Sequence, residues 1–303
     1  MSKVVLITGA STGFGRAAAE TLARRGFTVF ATMRDVAGRN ASHRDALQAL
    51  ARKEGRQLHV LDLDVTSDAS VDLAVHEALA RAGHIDVAIN NAGIAPLGLT
   101  EAFTIAELRQ LFEVNLYGAA RVNRAVLPSM RRQGSGLLIH VSSAGGRLVF
   151  PTTGIYCASK FALEALADAY RFELSPFGID SVIVEPGIHR TPIHEKWPGP
   201  ADQERVADYG PTAERLRRIK AIFDDALDAP DTPGPDPVVE AFLRLIETPA
   251  GQRPFRTVPT AAIQPLLDPY NAHSAQLRQT VAEMFGLTDL TVLQRTASAG
   301  TEA

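Results

Sequence analysis

Two side chains in this sequence have the types and the spacing for proton transfer. Tyr156 and Lys160 are four residues apart, and this spacing places both side chains on one face of a helix. A phenol with a pKa of about 10 exchanges protons poorly at neutral pH, but a nearby ammonium favours the phenolate and lowers that pKa. The pair is therefore a candidate acid and base. The alternative is a neighbouring pair without a role, which is the usual case for an isolated Y-x-x-x-K pattern.

A glycine-rich segment near the N-terminus has the pattern of a phosphate-binding turn. Residues 8–15 read T-G-A-S-T-G-F-G and lie between a short apolar run and an amphipathic segment. Glycines there permit a tight turn and let a pyrophosphate approach the backbone, while the free N–H groups of the following helix bind the anion. The spacing G-x-x-x-G-x-G differs from the commoner G-x-G-x-x-G. By itself, the motif could also be a simple turn.

The elements that must position these residues alternate along the chain. Short apolar, β-branched runs predict buried parallel strands at Val4–Thr8, Thr28–Thr32, Leu58–Leu63, Val87–Asn90, Leu137–Val141 and Ser181–Val184. Amphipathic stretches between them, such as Arg16–Arg25, Ala69–Arg81, Ile105–Arg131 and Phe161–Glu173, are long enough for crossover helices. This alternation predicts an α/β fold with a doubly wound parallel sheet and helices on both of its faces.

The chain changes character after Glu185, where prolines become frequent. We interpret 188–234 as a partly helical substrate flap, because a connection of this length is usually a lid or a binding loop. Residues 253–258 could supply a seventh strand, and 270–284 a last helix. We predict one domain over 1–260 and a C-terminal helical extension with a mobile tail over 261–303. The extension could cap a pocket or lie in a subunit interface.

Composition excludes several classes of function. The 303 residues carry 31 Lys and Arg against 34 Asp and Glu, so there is no excess of positive charge to bind nucleic acid. Cys157 is the only cysteine, which excludes an intramolecular disulfide and a cysteine-rich zinc site, and no metal site is predicted. No apolar run reaches the roughly 18 residues of a membrane span. We expect a cytoplasmic protein.

Several motifs together resemble one family. They are Thr8–Gly15, Asn90-Asn91-Ala92-Gly93, Asn115, Ser143, Tyr156-Cys157-Ala158-Ser159-Lys160 and Pro186-Gly187. Their order and spacing resemble the short-chain dehydrogenase/reductase family from residue 3 to about 191. The segments ATMRD at 31–35 and YCASKFALEAL at 156–166 resemble its 17-beta-hydroxysteroid and retinol dehydrogenase-like branch. The resemblance implies a Rossmann-type sheet of about seven strands and an NAD(P)-dependent oxidoreductase acting on CH–OH groups.

The resemblance also implies catalytic roles for four residues. Tyr156 would exchange a proton with the substrate oxygen, and Ser143 would hydrogen-bond that oxygen. Lys160 would hold the nicotinamide ribose and lower the pKa of Tyr156. Asn115 would position a water that links Lys160 to solvent. Ser143 is chosen over Ser142 because the family's serine usually lies thirteen residues before the tyrosine, and Ser142 is expected to be structural.

The same resemblance predicts a larger set of cofactor-binding residues. Asp64 would accept a hydrogen bond from the adenine amino group, with Asp62 as a neighbour without this role, and Thr191 would contact the nicotinamide amide. The asparagines of the fourth strand would mainly tie strands together. The complete predicted set is Gly9, Ser11, Thr12, Gly13, Phe14, Gly15, Arg34, Asp64, Val65, Asn91, Ala92, Gly93, Tyr156, Lys160, Pro186, Gly187, Ile188 and Thr191.

The end of the second strand favours NADP over NAD. An acidic residue there would bind the ribose 2′-hydroxyl, whereas an arginine would accommodate a 2′-phosphate. The family's NAD-selecting acid aligns with Met33, and Arg34, which follows, can bind a phosphate through two N–H groups. NAD stays possible, because a small shift in register would turn Asp35 toward the ribose.

The predicted substrate is a small hydrophobic alcohol or carbonyl compound. Leu148, Val149 and Phe150 lie between the serine and the tyrosine, and Ile193 and Trp197 lie in the flap, which predicts apolar pocket walls. The identity of the substrate and the direction of the reaction are left open.

Two histidines and the subunit arrangement complete the expectations. His189 and His194 are interpreted as solvated loop residues. The resemblance implies a homodimer or homotetramer through the helices around 105–131 and 157–174. Two alternatives to the redox enzyme are a non-catalytic dinucleotide-binding regulator on the same scaffold and a non-redox, lyase-type relative. Consumption of cofactor separates all three.

Overall fold

Seven parallel strands form the centre of the fold and follow the apolar runs of the sequence. The computed structural model describes residues 2–193 and 199–294. The strands are β1 (Val4–Ile7), β2 (Thr28–Met33), β3 (Leu58–Asp62), β4 (Val87–Asn90), β5 (Gly136–Val141), β6 (Ile179–Val184) and β7 (Arg256–Thr257). Their order is β3-β2-β1-β4-β5-β6-β7, with every neighbouring pair parallel. The prediction of a doubly wound sheet with about seven strands is confirmed.

Helices cover both faces of this sheet. They are α1 (Gly13–Arg24), α2 (Ala41–Glu54), α3 (Asp68–Ala82), α4 (Ile105–Phe112), α5 (Gly118–Gln133), α6 (Gly154–Glu173), α7 (Gln203–Asp208), α8 (Pro211–Asp228), α9 (Asp236–Glu247) and α10 (Gln264–Met284). The single amphipathic stretch predicted at Ile105–Arg131 is divided, because a π-helical turn over Glu113–Tyr117 separates α4 from α5. Neither α2 nor α9 is among the predicted helices.

Proline explains why α9 is not predicted. Pro235 and Pro237 lie at the start of α9, where the first turn has no intrahelical partner for its N–H groups. The same prolines read as loop signals in the sequence. The helix is nevertheless well anchored, because its apolar face, including Val238 and Phe242, is buried against the sheet.

Strand alternation divides the core into two layers. Val5 and Ile7 of β1 point to the layer that contains α1 and α9, whereas Val4 and Leu6 point to the layer that contains α3 and α5. All four side chains are almost completely buried. Because the sheet is covered on both faces, its central strand β1 is apolar at every position, as is usual for a strand buried in a parallel sheet. The core therefore fixes the sheet rigidly beneath the loops at its carboxyl edge.

The region after β6 contains both the flap and the C-terminal helix. Within 188–234 the structure has α7 and α8, while His194 and Trp197 lie outside the described residues. Helix α10 begins at Gln264, six residues before the predicted start at 270. The tail from 295 also lies outside the described residues, and the division at residue 260 stays a prediction. Over 2–193 and 199–294, no helix combines the length and apolar character that crossing a membrane requires.

Candidate active site

The turn after β1 is packed closely against the segment that follows β4. Gly9 has a φ of 68°, in the left-handed region that favours glycine, and a Cβ on it would lie 2.9 Å from the Cα of Ala92. The Asn91 amide donates to the carbonyl oxygen of Thr8 at 2.8 Å, and the Thr8 hydroxyl accepts the N–H of Asn91 at 3.0 Å. These bonds tie the end of β4 to the turn, in agreement with the expected role of the asparagines.

The first turn of α1 offers free donors beside this loop. Thr12 precedes the helix, and its side chain makes no capping hydrogen bond. The N–H groups at the start of a helix have no intrahelical acceptor, so they are available to an anion. Gly15 lies behind the turn, where a Cβ would lie 2.5 Å from the Asn91 amide nitrogen and 2.5 Å from the carbonyl oxygen of Gly9. Gly15 therefore lets α1 pack closely against the glycine turn and Asn91.

A single cavity of about 760 Å³ brings most of the predicted residues together. It runs along the carboxyl edge of the sheet, at the point between β1 and β4 where the direction of winding reverses. Every predicted catalytic and cofactor-binding residue lines it except Gly15 and Asn115. Its volume is in the range of about 300–1,000 Å³ that is usual for small-molecule sites.

Two arginines line the cavity beside the end of β2. They are Arg34, which is predicted, and Arg39, which is not. Asp35 does not line the cavity. Its φ is 53°, and its carboxylate accepts the backbone N–H of Arg39 at 2.9 Å and lies 3.9 Å from the Arg39 guanidinium. A basic residue in the turn that follows the strand is the only sequence signal that could have indicated Arg39.

Asp64 lines the same end of the cavity, beside β3. Its carboxylate accepts hydrogen bonds from the backbone N–H and the hydroxyl of Thr66, at 2.9 and 2.8 Å. Burial alone would raise the pKa of Asp64, but these hydrogen bonds and the positive charges of Arg34 and Arg39 hold it below its usual value. Asp64 is therefore an anionic acceptor at neutral pH. Asp62 is exposed and does not line the cavity.

Ser143 and Ser142 lie at the end of β5 and have different surroundings. The Ser143 hydroxyl accepts the N–H of Gly145 at 3.0 Å and is hydrogen-bonded to the phenol of Tyr156. The Ser142 hydroxyl donates instead to the buried carboxylate of Glu164, at 2.8 Å. Both serines border the cavity, but only Ser143 is bonded to the tyrosine.

Burial dominates the acid–base behaviour of the tyrosine and the lysine on α6. It raises the pKa of Tyr156 to about 12, although the hydrogen bond with Ser143 acts in the opposite direction. It lowers the pKa of Lys160 to about 8, opposed by the negative charge of Glu164. The Lys160 ammonium donates to the carbonyl oxygen of Val141 at 2.9 Å and lies 5.8 Å from the centre of the Tyr156 ring. In this geometry burial outweighs the lowering of the Tyr156 pKa that was expected from Lys160, and the effect of Lys160 on that pKa stays a prediction.

Asn115 lies in the π-helical turn and is buried behind the cavity wall. Its side chain accepts the N–H of Ile94 and donates to the carbonyl oxygen of Ile94, both at 2.9 Å, and it donates to the Ser159 hydroxyl at 3.0 Å. These bonds join α4 and α5 to β4 and α6. The structure places Asn115 next to the catalytic helix, while its role toward a water stays a prediction.

The segment after β6 closes the cavity beside the catalytic residues. Gly187 donates its N–H to the Thr260 hydroxyl at 2.8 Å. The expectation that His189 is solvated is wrong, because only 1% of its surface is exposed. Its Nδ1 lies 2.8 Å from the carbonyl oxygen of Gly234, and its Nε2 lies 2.6 Å from the Thr260 hydroxyl. His189 is buried by contacts with residues that are distant in the sequence, and no local sequence pattern indicates these contacts.

The remaining wall of the cavity is largely apolar. It includes Phe150, Ile193, Phe223, Leu227 and Ile263. The rings of Phe150 and Phe223 meet edge to face with their centres 6.5 Å apart, so the loop after Ser143 touches the flap helix α8. Two predicted wall residues are elsewhere: Leu148 packs in a neighbouring apolar cluster, and Val149 is 69% exposed.

Comparison with known proteins identifies relatives over most of the chain. A family model described as short chain dehydrogenase matches residues 3–200. The oxidoreductase YusZ of Bacillus subtilis is 39% identical over 193 residues, which cover 63% of this chain and 66% of that protein. The 17-beta-hydroxysteroid dehydrogenase type 1 of Homo sapiens is 35% identical over 253 residues, covering 81% and 74%. Retinol dehydrogenase 8 of Bos taurus is 33% identical over 259 residues, covering 84% and 73%.

Solved structures agree with this relationship. A short-chain dehydrogenase from Streptomyces avermitilis superposes with a TM-score of 0.73 at 33% identity, covering 94% of this chain and 98% of that one. An alcohol dehydrogenase from Thermococcus sibiricus, complexed with 5-hydroxy-NADP, gives 0.67 at 27% identity, covering 85% and 96%. A 3-ketoacyl-(acyl-carrier-protein) reductase from Brucella melitensis, complexed with NADH, gives 0.68 at 25% identity, covering 84% and 95%.

These neighbours support a nicotinamide dinucleotide as the cofactor. One of them is complexed with an NADP derivative and another with NADH. The glycine turn, the serine, the tyrosine and the lysine lie around one cavity, as the family resemblance requires. The chain belongs to the short-chain dehydrogenase family of NAD(P)-dependent oxidoreductases acting on CH–OH groups, in the branch of the 17-beta-hydroxysteroid and retinol dehydrogenases.

Proposed function

We propose that this dehydrogenase uses NADP(H) and interconverts a small apolar ketone or aldehyde with the corresponding alcohol. The observation that carries the proposal is that Ser143, Tyr156 and Lys160 line the same cavity as Arg34 and Arg39. The first three residues are suited to the reacting oxygen of the substrate and to the ribose beside it. The two arginines are suited to the 2′-phosphate of NADP. A small-molecule partner is therefore expected, and neither nucleic acid nor a membrane is invoked.

The residues of the cavity fit the proposed cofactor. The glycine turn and the uncapped start of α1 provide N–H donors for the pyrophosphate. Asp64 is an ionised acceptor suited to the adenine amino group, and Val65 lies beside it in the cavity wall. At the other end, Pro186 to Ile188 and Thr191 line the space beside the catalytic residues, where they would hold the nicotinamide. When bound, the nicotinamide supplies or accepts the hydride.

Arginine rather than aspartate at the adenosine end supports the preference for NADP. Arg34 and Arg39 are positively charged at any physiological pH and can each bind a phosphate through two N–H groups. Asp35, which could have accepted a hydrogen bond from a 2′-hydroxyl, is held in the turn by the N–H of Arg39. Because the Asp35 carboxylate is bound within the turn, the charged groups beside the end of β2 that line the cavity are the guanidinium groups of Arg34 and Arg39.

The protein's own residues would manage the proton. With its pKa raised to about 12, Tyr156 is a neutral phenol at neutral pH and can donate its proton to an oxygen that becomes negatively charged. Ser143, bonded to the same phenol, would orient that oxygen by a hydrogen bond. Lys160 would hold the ribose, and Asn115 would support a path for the proton from solvent to Lys160. Because Tyr156 would act as a proton donor, activity is best tested first in the direction of carbonyl reduction.

The cavity wall supports an apolar substrate. Phe150, Phe223, Leu227 and Ile263 supply carbon surface in the wall of the cavity that Ser143 and Tyr156 also line, and these two residues offer hydroxyl groups to a substrate oxygen. A homodimer or homotetramer and a location in the cytoplasm stay predictions from the sequence.

The proposal is tested by titrating purified protein with NADPH and NADH, followed by fluorescence, and then by screening apolar ketones and aldehydes. We expect clear preference for NADPH, and we expect Arg34→Ala to weaken NADPH binding far more than NADH binding. Arg52→Ala, an exposed arginine of α2 outside the cavity wall, is the matched control and should change neither affinity.

Other outcomes of this experiment identify the alternatives. Preference for NADH would contradict the assignment of Arg34 and direct the screen to alcohol oxidation. Tight binding without any turnover would favour a dinucleotide-binding regulator. Turnover that consumes no cofactor would favour a lyase-type reaction, and binding of neither nucleotide would refute a redox function.

A further inference from the structure

The loop that carries the catalytic serine and one wall of the substrate site is held by backbone bonds at both of its ends. Ala144 donates its N–H to the carbonyl oxygen of Pro186 at 2.8 Å, and Leu148 donates to Ala144 at 2.9 Å. At the other end, the carbonyl oxygen of Phe150 accepts the N–H and the hydroxyl of Thr153, at 3.2 and 2.7 Å. Phe150 lines the cavity, whereas Val149 is 69% exposed. Between these two ends, the middle of the loop can also be held by side-chain contacts.

Arg147 supplies such a contact from the middle of the loop. Its side chain is only 11% exposed and points into the protein, where the guanidinium lies 3.7 Å from the carboxylate of Glu164 on α6. The centre of the guanidinium also lies 4.2 Å from the centre of the Tyr270 ring on α10. Gly146 permits this arrangement, because a Cβ there would overlap the Glu164 carboxylate. Arg147 thus connects the loop to two helices.

The contact with Tyr270 is the more specific of the two, because Glu164 is already engaged by other groups. Its carboxylate accepts the Ser142 hydroxyl at 2.8 Å and the guanidinium of Arg256 at 3.1 Å. Among the described residues, the Nε of Arg147 has no hydrogen-bond partner. An aromatic face at this distance stabilises a partly desolvated guanidinium and fixes its plane.

Helix α10 is anchored independently of Tyr270. Asn271 donates to the buried carboxylate of Glu185 at 2.5 Å, and Leu267 is completely buried in the apolar cluster with Leu148. Tyr270 itself is 45% exposed. Loss of its ring would therefore remove the contact with Arg147 while leaving the helix in place.

We propose that Tyr270 is a positioning residue for the substrate site, which acts through Arg147 on the loop of residues 144–150. The C-terminal helix then forms part of the active-site support, although Tyr270 does not line the cavity. The effect on turnover rests on the proposed function, since it is an effect on the ketone substrate. The effect on the loop itself can be measured without turnover.

The test compares Tyr270→Leu, which removes the aromatic face, with Tyr270→Phe, which keeps it. For each variant we would measure hydrogen–deuterium exchange of the amides of 144–150, the KM and kcat for the best ketone from a panel of aryl alkyl ketones, and the affinity for NADPH. Leu277→Ala, an exposed leucine on the same helix, is the matched control.

We expect Tyr270→Leu to accelerate exchange in 144–150 and to raise KM about fivefold or more, with a smaller change in kcat and no change in NADPH affinity. Tyr270→Phe and Leu277→Ala should behave as the wild type. Equal exchange and equal KM in Tyr270→Leu and the wild type would overturn the proposal, as would equal effects of the leucine and phenylalanine substitutions. If the wild type reduces no ketone, the proposed function fails, and the exchange comparison alone decides whether Tyr270 holds the loop.

Discussion

At the scale of single residues, burial controls what the catalytic side chains can do. Tyr156 and Lys160 lie one helical turn apart, and burial disfavours the charged form of each side chain. A phenol with a pKa of about 12 holds its proton at neutral pH. The tyrosine is therefore prepared to donate a proton.

The first residue-scale prediction concerns the phenol. Tyr156→Phe removes the hydroxyl that would transfer the proton, so turnover should fall by about 10²-fold or more, while NADPH affinity should change by no more than a few-fold. Steady-state kinetics and a fluorescence titration measure the two effects. Tyr117→Phe, at an exposed tyrosine outside the cavity wall, serves as the control. Substantial activity in the Tyr156→Phe variant would exclude Tyr156 from the mechanism.

At the scale of elements, the site depends on close approach between the glycine turn, α1 and the end of β4. The Asn91 amide occupies the space in front of Gly15 and donates to the carbonyl oxygens of both Thr8 and Gly9, at 2.8 and 3.1 Å. A side chain at residue 15 would push these segments apart. This explains why Gly15, which does not line the cavity, still affects the shape of the phosphate-binding turn.

The element-scale prediction follows from this packing. Gly15→Ala should lower the free energy of unfolding by about 1–3 kcal/mol, because the new methyl group has no space, and should weaken NADPH binding. Urea denaturation and a nucleotide titration measure the two losses. Gly199→Ala, where a Cβ would meet no atom of the described residues within 4 Å, is the control and should change neither. Unchanged stability in Gly15→Ala would mean that the turn and β4 separate easily.

At the scale of the whole molecule, exposed apolar side chains indicate where a second subunit would bind. Tyr117 is 48% exposed in the π-helical turn before α5, and Phe161 is 38% exposed on α6. Both lie on the helices that the family resemblance assigns to subunit contacts. Large apolar groups on such a face are better covered than left in water.

We therefore predict a dimer or tetramer in solution. Light scattering coupled to size-exclusion chromatography measures the mass directly. Phe161→Glu should shift the distribution toward smaller species, because it would bury a charge in the interface. Leu73→Glu, at a leucine of α3 that is 68% exposed, is the matched control and should leave the mass unchanged. A monomeric wild type would contradict this prediction.

The sequence by itself determined the features that depend on neighbours along the chain. Apolar runs specify the strands of a parallel sheet, four-residue spacing puts Tyr156 and Lys160 on one helix face, and the glycines after β1 specify a turn at a helix N-terminus. These are local properties, because chain geometry fixes them over a few residues. They are sufficient to predict the doubly wound sheet, whereas the predicted residues of the cavity wall came mainly from the family resemblance.

Only the tertiary structure decided which distant segments meet and how far each group is buried. His189 is buried by Gly234 and Thr260, and Arg39 comes to the cavity because of the turn at Asp35. Burial reverses the expected shift in the pKa of Tyr156. Tyr270 reaches Arg147 across more than a hundred residues of chain. Such contacts and the desolvation they cause depend on packing between elements, which no local pattern encodes.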